Sequence, residues 1–191
     1  MTSSEARLES VNSLPWAQQL AGELLAEPLP RRWAHSQGVG RKAESIAHLV
    51  RHDADVLACA AWLHDIGYAP NLVKTGLHSL DGARYLRDVE HADPRVCALV
   101  AYHSCADIEA RNRGLDDELA AEFEPVDGLL ADALIYCDMT TTPDGKPIDV
   151  EARLSEILSR YGPGDVVTES IAEASPHIVG AARRIESSLV R

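Results

Sequence analysis

Residues 54–70 read ADVLACAAWLHDIGYAP, an unbroken apolar run from Val56 to Leu63 that stops on His64 and Asp65. Leu57, Ala61 and His64 are spaced by four and then three, so they share one face of a helix, and that face ends in a side chain able to bind a metal. The pattern recurs on either side. His35, Val39, Ile46 and Val50 fall near one face of the preceding segment, whereas His48, thirteen residues after His35, turns about 220° away and is expected in solvent. His78 stands one turn before Gly82 and two before Tyr85 and Leu86; Val96, Leu99, Val100 and His103 form a face; Leu130, Leu134 and Asp138 are spaced by four. Each apolar stripe ends in a potential metal ligand.

Apolar residues recur at three and four positions and no stretch alternates for long, so the fold class is all-α. Helices are expected near 14–27, 32–52, 54–65, 79–90, 94–104, 116–123, 127–139, 149–161, 165–174 and 176–190. Asp93-Pro94 and Ser175-Pro176 each read as a capping side chain followed by proline at a first helical position. Pro28 and Pro30 separate the first two helices, and Thr142-Pro143-Asp144-Gly145 reads as a turn.

The composition narrows what such a bundle does. A length of 191 residues suits one domain, and 46% hydrophobic with 25% charged residues excludes a disordered or fibrous chain. The eight-residue apolar run is far short of the ~20 needed to span a bilayer. MTSSEARLESVNS has no apolar stretch behind a basic segment, so no secretory signal is expected and a cytoplasmic location is. Eighteen Lys and Arg against 30 Asp and Glu give a net charge of −12, which repels nucleic-acid polymers and anionic membranes. Small phosphorylated ligands remain allowed, because a bound metal or a few cations reverse the field inside a cleft. Cys59, Cys97, Cys105 and Cys137 are 38, 8 and 32 residues apart and form no CxxC pair, so they read as small reduced residues.

Singly, a histidine on an apolar face is ordinarily a hydrogen-bonded core residue, and an inward aspartate a cap or an arginine's partner. Together, four imidazoles and two carboxylates in one core leave unpaired charges unless a cation joins them. Neutral imidazoles and ionised carboxylates suit a first-row divalent ion.

The order His35, His64-Asp65, Asp138, with the central pair inside WLHDIGYAP, resembles the H...HD...D signature of the HD-domain superfamily of metal-dependent phosphohydrolases. RRWAHSQGV is similar to the segment around that family's first histidine, LHSLDGA and VAYHS to the two later histidine segments of its dinuclear members, and ADALIYCDMT to its closing aspartate helix. The resemblance covers roughly residues 31–161, and within the superfamily is closest in arrangement to small bacterial hydrolases of nucleotides or dinucleotide polyphosphates. It implies a compact helical HD domain with the metal site in the bundle core, preceded by a helical extension at 1–30 and followed by helices in 162–191 packed on it. It further implies that His35, His64, Asp65 and Asp138 hold a first metal and that Asp65 bridges to a second, held by His78 and His103. Two departures stand out: this chain has His103-Ser104 where some dinuclear relatives have a double histidine, and Tyr68 where many hydrolytic relatives carry lysine after the HDIG core.

Two divalent transition ions, manganese, iron or cobalt, would supply hydroxide at cellular pH and neutralise phosphate charge, so no protein nucleophile is needed. Asp65, His64 and Arg32 are then the expected catalytic residues. Arg32 lies one turn before His35, where a guanidinium can grip phosphate bidentately, and Arg31 competes for that role. Lys74, in the loop before His78, and Lys146, in the loop after Asp138, are candidate second cations, and Thr140, Thr141 and Thr142 offer hydroxyls. Arg32, Lys74 and Thr141 are the expected substrate contacts. Residues 107–113 read as a polar loop at the mouth of the site, and Trp33 as near enough to His35 to line it. The expected function is hydrolysis of a small phosphorylated substrate, a nucleotide first among candidates, and a homo-oligomer is compatible with it. The alternative is a di-iron oxygenase that cleaves a carbon bond with dioxygen, since a minority of HD proteins use the same six ligands that way.

Overall fold

The computed structural model describes residues 11–190, and among these the architecture is helical throughout. The α-helices are α1 (Leu14–Leu25), α2 (Pro30–Ile46), α3 (Ala54–Leu63), α4 (His78–Asp88), α5 (Pro94–Tyr102), α6 (Ala106–Arg113), α7 (Asp116–Glu122), α8 (Leu129–Met139), α9 (Val150–Arg160) and α10 (Val166–Leu189). Extended pairing among the described residues is limited to an isolated bridge between Thr141 and Pro147. No described helix is long and apolar enough to cross a membrane. The expectation of no secretory signal falls largely on residues 1–10, which lie outside the described residues, as does the start of the extension expected at 1–30.

Short polar side chains begin several helices as local chemistry requires. Ser13, Asp93, Asp149 and Asp165 accept from the backbone N–H of Trp16, Arg95, Ala152 and Val167 respectively. Two apolar clusters then lock the helices together. One joins Leu20 and Leu25 of α1 to Leu57 and Leu63 of α3, Leu80 of α4 and Val100 of α5. The other joins Met139 of α8 and Leu154 of α9 to Ile178 and Ala182 of α10. Helix α8 contributes to both, Leu134 to the first and Ile135 to the second, and it carries Asp138 at their junction.

Three expectations are corrected. The second helix stops at Ile46, and two 3-10 turns carry the chain to α3 through a left-handed Arg51 with φ of 50°. Residues 106–113 form helix α6, not a loop, with Gly114 in the left-handed conformation closing its C-terminus. Ser175-Pro176 does not start a helix: α10 runs continuously through Pro176. Ser175 Oγ donates to the Ile171 carbonyl, and both Pro176 and Ala172, the residue whose carbonyl loses its helical donor, lie on the exposed side.

Candidate metal centre

Helix α3 is buried from Leu57 to Leu63, and the chain leaves the helix at His64, so His64 and Asp65 emerge at the bottom of the core. Asp65 has φ of −102° and ψ of 5°, which turns its carboxylate away from the helix axis. Gly67 then makes the turn touch α4: a Cβ there would lie 1.9 Å from the His78 carbonyl oxygen. His78, first residue of α4, is thereby brought to the Asp65 carboxylate. His103 follows the last residue of α5, and its placement uses two successive left-handed residues, Ser104 and Cys105, with φ of 50° and 64°.

Six side chains converge. His35 Nε2 lies 3.0 Å from Asp138 Oδ1 and 3.8 Å from Asp65 Oδ2. His64 Nε2 lies 3.3 Å from Asp65 Oδ2 and 3.8 Å from Asp138 Oδ1. On its other oxygen, Asp65 faces His78 Nε2 at 3.5 Å and His103 Nε2 at 3.9 Å. Two sets of candidate ligand atoms result, His35–His64–Asp65 and Asp65–His78–His103, and Asp65 is common to both. All six residues but His78 are buried, and His78 is nearly so.

The hydrogen bonds behind the imidazoles define their protonation. Nδ1 of His35, His64 and His103 lies 3.0, 2.8 and 2.7 Å from the backbone carbonyls of Thr142, Ala61 and Val100. A carbonyl only accepts, so each Nδ1 carries the proton, and in the neutral ring Nε2 presents its lone pair to the centre. The Nε2 atoms face carboxylate oxygens or one another: His35 Nε2 is hydrogen-bonded to Asp138, His78 Nε2 and His103 Nε2 are 3.1 Å apart, and buried His64 Nε2 has no hydrogen-bond partner. Converging acceptors of this kind fit divalent cations, and 3.1 Å is close to the ~3 Å between adjacent ligands of an ion with metal–nitrogen bonds of about 2.1 Å.

The electrostatics show a demand for positive charge: the buried carboxylates hold a proton on His64, a charge that a bound cation would supply in its place. Burial pushes the Asp65 carboxyl up, but Arg32, then His64 and His35, overcome it and hold it well below the usual carboxylate range. Burial likewise opposes ionisation of Asp138, yet the hydrogen bond from His35 and the charges of His64 and His35 keep it ionised. Burial lowers His64, and the Asp65 charge outweighs it, raising the group to about 9. His78 and His103 are pushed down, by burial first and then by a neighbouring imidazole, His103 for the former and His64 for the latter.

The centre opens into a cavity of about 90 Å³ walled by Arg32, Tyr68 and Ser104 among others. Arg32 Nη1 donates to Asp65 Oδ2 at 2.7 Å while its guanidinium lies 4.0 Å over the Tyr68 ring, so the expected phosphate grip is already joined to the shared carboxylate. Burial pulls the Arg32 guanidinium down, but the charge of Asp65 more than restores it. Tyr68 stacks on His78 with centroids 4.0 Å apart, and burial drives its phenol up, which keeps it protonated. Ser104 Oγ donates to Asp138 Oδ2.

Other expected contacts lie elsewhere. Thr141 is buried and spends its hydroxyl on the Cys137 carbonyl, because the turn after α8 packs into a notch at Gly38 of α2. That turn delivers the Thr142 carbonyl to His35, so the threonines support the centre from behind. Lys74 is not brought to the cavity: its backbone N–H donates to Asp81, and its charge acts on Asp88 at the far end of α4. Arg31 pairs with Asp144 at 3.0 Å and borders only the outer groove that Arg32 and His35 also line, Lys146 is exposed, and Trp33 packs on Trp62. His48 is exposed as expected. Sequence reasoning missed Ser104, Arg153 and Arg160, all of which wall the cavity. The spacing of Arg153, Ile157 and Arg160 on one helix face was the available signal.

Comparison with known proteins gives one result. A family model described as HD domain matches residues 32–161. Neither the curated proteins nor the solved structures give a match.

Proposed function

The chain belongs to the HD-domain family, and from that premise we propose that it is a metal-dependent phosphohydrolase acting on a nucleotide or another small phosphate ester. The observation that carries the reading is the convergence of imidazole lone pairs on Asp65 and Asp138, with proton-bearing Nδ1 atoms fixed on backbone carbonyls. His35, His64 and Asp138 would hold one divalent ion and His78 and His103 a second, with Asp65 shared. Bound there, such ions supply Lewis acidity that activates water and offsets charge on a phosphate undergoing in-line displacement.

The chain's own residues do the rest. Arg32 places a fixed cation beside Asp65 on the cavity wall, where phosphate oxygens approach, and Tyr68 offers a protonated hydroxyl. Ser104 orients Asp138 by donating to the oxygen that does not face His35. The inner cavity has room for a phosphate and a few further atoms, so a nucleoside would extend into the adjoining groove of about 310 Å³ beside Leu29, Pro30 and Pro143.

The test is phosphate release from a panel of nucleotides and small phosphate esters by manganese-loaded protein under strict anaerobiosis. Turnover without oxygen is expected, since hydrolysis needs no change of metal valence. Turnover only with iron and oxygen, with no ester cleaved, would overturn the reading in favour of the oxygenase.

A further inference from the structure

Arg153 and Arg160 stand in the wall of the cavity that also contains Asp65 and His78. Both come from α9, where positions 153, 157 and 160 share one face. That face is not an ordinary solvated one. The Arg153 side chain is only 6% exposed, and its Nε has no hydrogen-bond partner. A buried donor of this kind is rare and costly unless something else satisfies it.

The charge is also only partly answered. Glu156 accepts from Arg153 Nη1 and, through its other oxygen, from Arg160 Nη2, so one carboxylate serves two guanidinium groups. The trio keeps a net positive charge. Its two arginines, together with Arg32, line both the inner cavity and the outer groove, and thus stand between the two. A guanidinium fork in such a place matches the paired oxygens of a carboxylate or phosphate.

We infer that Arg153 and Arg160 form an anion subsite beside the metal centre that selects substrates carrying a second anionic group a few atoms from the reacting phosphate. The identity of the reacting group rests on the phosphohydrolase reading, whereas the subsite rests on α9 alone. The second group is an anionic oxygen cluster, either a carboxylate or a further phosphate.

Calorimetry on manganese-loaded protein tests this with ligands that cannot be hydrolysed. Ethylphosphonate carries one anionic group, phosphonoacetate adds a carboxylate, and methylenediphosphonate adds a second phosphonate. At least one doubly anionic ligand should bind about tenfold or more tightly than ethylphosphonate, and which one does so distinguishes carboxylate from phosphate. Arg160→Gln, at the more exposed of the two arginines, should shrink that preference to within about twofold while metal content stays unchanged. Arg153→Gln should do the same, and Arg153→Lys should keep part of the preference in case the glutamine variant does not fold. Glu156→Gln should tighten the doubly anionic ligand, because it removes the internal competitor; a merely structural trio would loosen instead. Equal binding of singly and doubly anionic ligands by the wild type, an unchanged preference in Arg160→Gln, or weaker binding in Glu156→Gln would each overturn the subsite. None of these ligands is cleaved, so failure of the hydrolase reading would appear separately, as absent phosphate release.

Discussion

Arginine meets carboxylate in two contrasting settings in this molecule. Between α4 and α7, Arg84 and Arg87 share Glu122, and Arg84 also reaches Glu118 at 2.7 Å, a partly exposed network in which opposite charges face one another. At the candidate metal centre, Arg32 is joined to one of two buried carboxylates, and the surrounding imidazoles turn their Nε2 atoms inward. The surface network is complete as it stands. The buried one gathers acceptors beyond what its own donors satisfy, and that imbalance separates a site built for cations from an ion pair that fastens two helices.

The contrast is broken most severely at Asp65. Asp65→Ala should remove both ions in metal analysis of protein purified without chelator and lower kcat/KM by about a hundredfold or more, because both ligand sets lose their shared member. Metal content equal to wild type would make Asp65 a structural partner of Arg32 and nothing more.

His78→Ala sharpens the picture within the centre. His78 belongs only to the cavity-facing set, while His35 and His64 are set behind it on backbone carbonyls. Bound metal should fall from about two ions per chain to about one, with the fold retained. Loss of all metal would show that the two halves bind as one unit.

Glu122→Gln probes the complete network and should have the smallest effect, about 0.2 to 1 kcal/mol of stability, or a few degrees in Tm, with metal content and activity unchanged. The hydrogen bond from Arg84 holds the Glu122 carboxyl below its ordinary value, overcoming the opposing effect of burial, and Arg87 adds to it. A depressed folded value stabilises above the unfolded pKa, about 4.3, and the gain disappears as pH falls through the folded one. The wild-type advantage over Glu122→Gln in thermal melts should therefore be full at neutral pH and vanish in acid. An advantage that grew in acid would reverse the assignment.

How much of this was legible in the sequence follows from what helical spacing encodes. His35, His64, His78, His103 and Asp138 could be found because each stands at one end of an apolar stripe, which reports which way that end points, and Asp65 follows His64 in the chain. Arg153 was hidden because an arginine three residues before a glutamate on a helix reads as a surface pair, whereas its side chain is only 6% exposed in the fold. Helix α6 was missed because ADIEARNR is polar almost throughout and shows only a faint apolar face; Ala106 and Ala110 are its buried residues. Lys74 was proposed from its place between two ligands in the chain, but the loop folds its backbone onto Asp81 and sends the charge toward Asp88. Thr141 failed as a substrate contact because a threonine just past a helix can return its hydroxyl to the carbonyl four residues back.

Gly67 gives this centre an unusual kind of vulnerability. Its missing side chain lets the turn after Asp65 rest directly on the first residue of α4, where an added methyl would come within 1.9 Å of the His78 carbonyl oxygen and 2.7 Å of the Gly82 nitrogen. Any replacement would act as a wedge between the two ligand sets while leaving every ligand intact. A single added carbon atom could thus part His78 from Asp65, and an inventory of the candidate ligands would not reveal that it had done so.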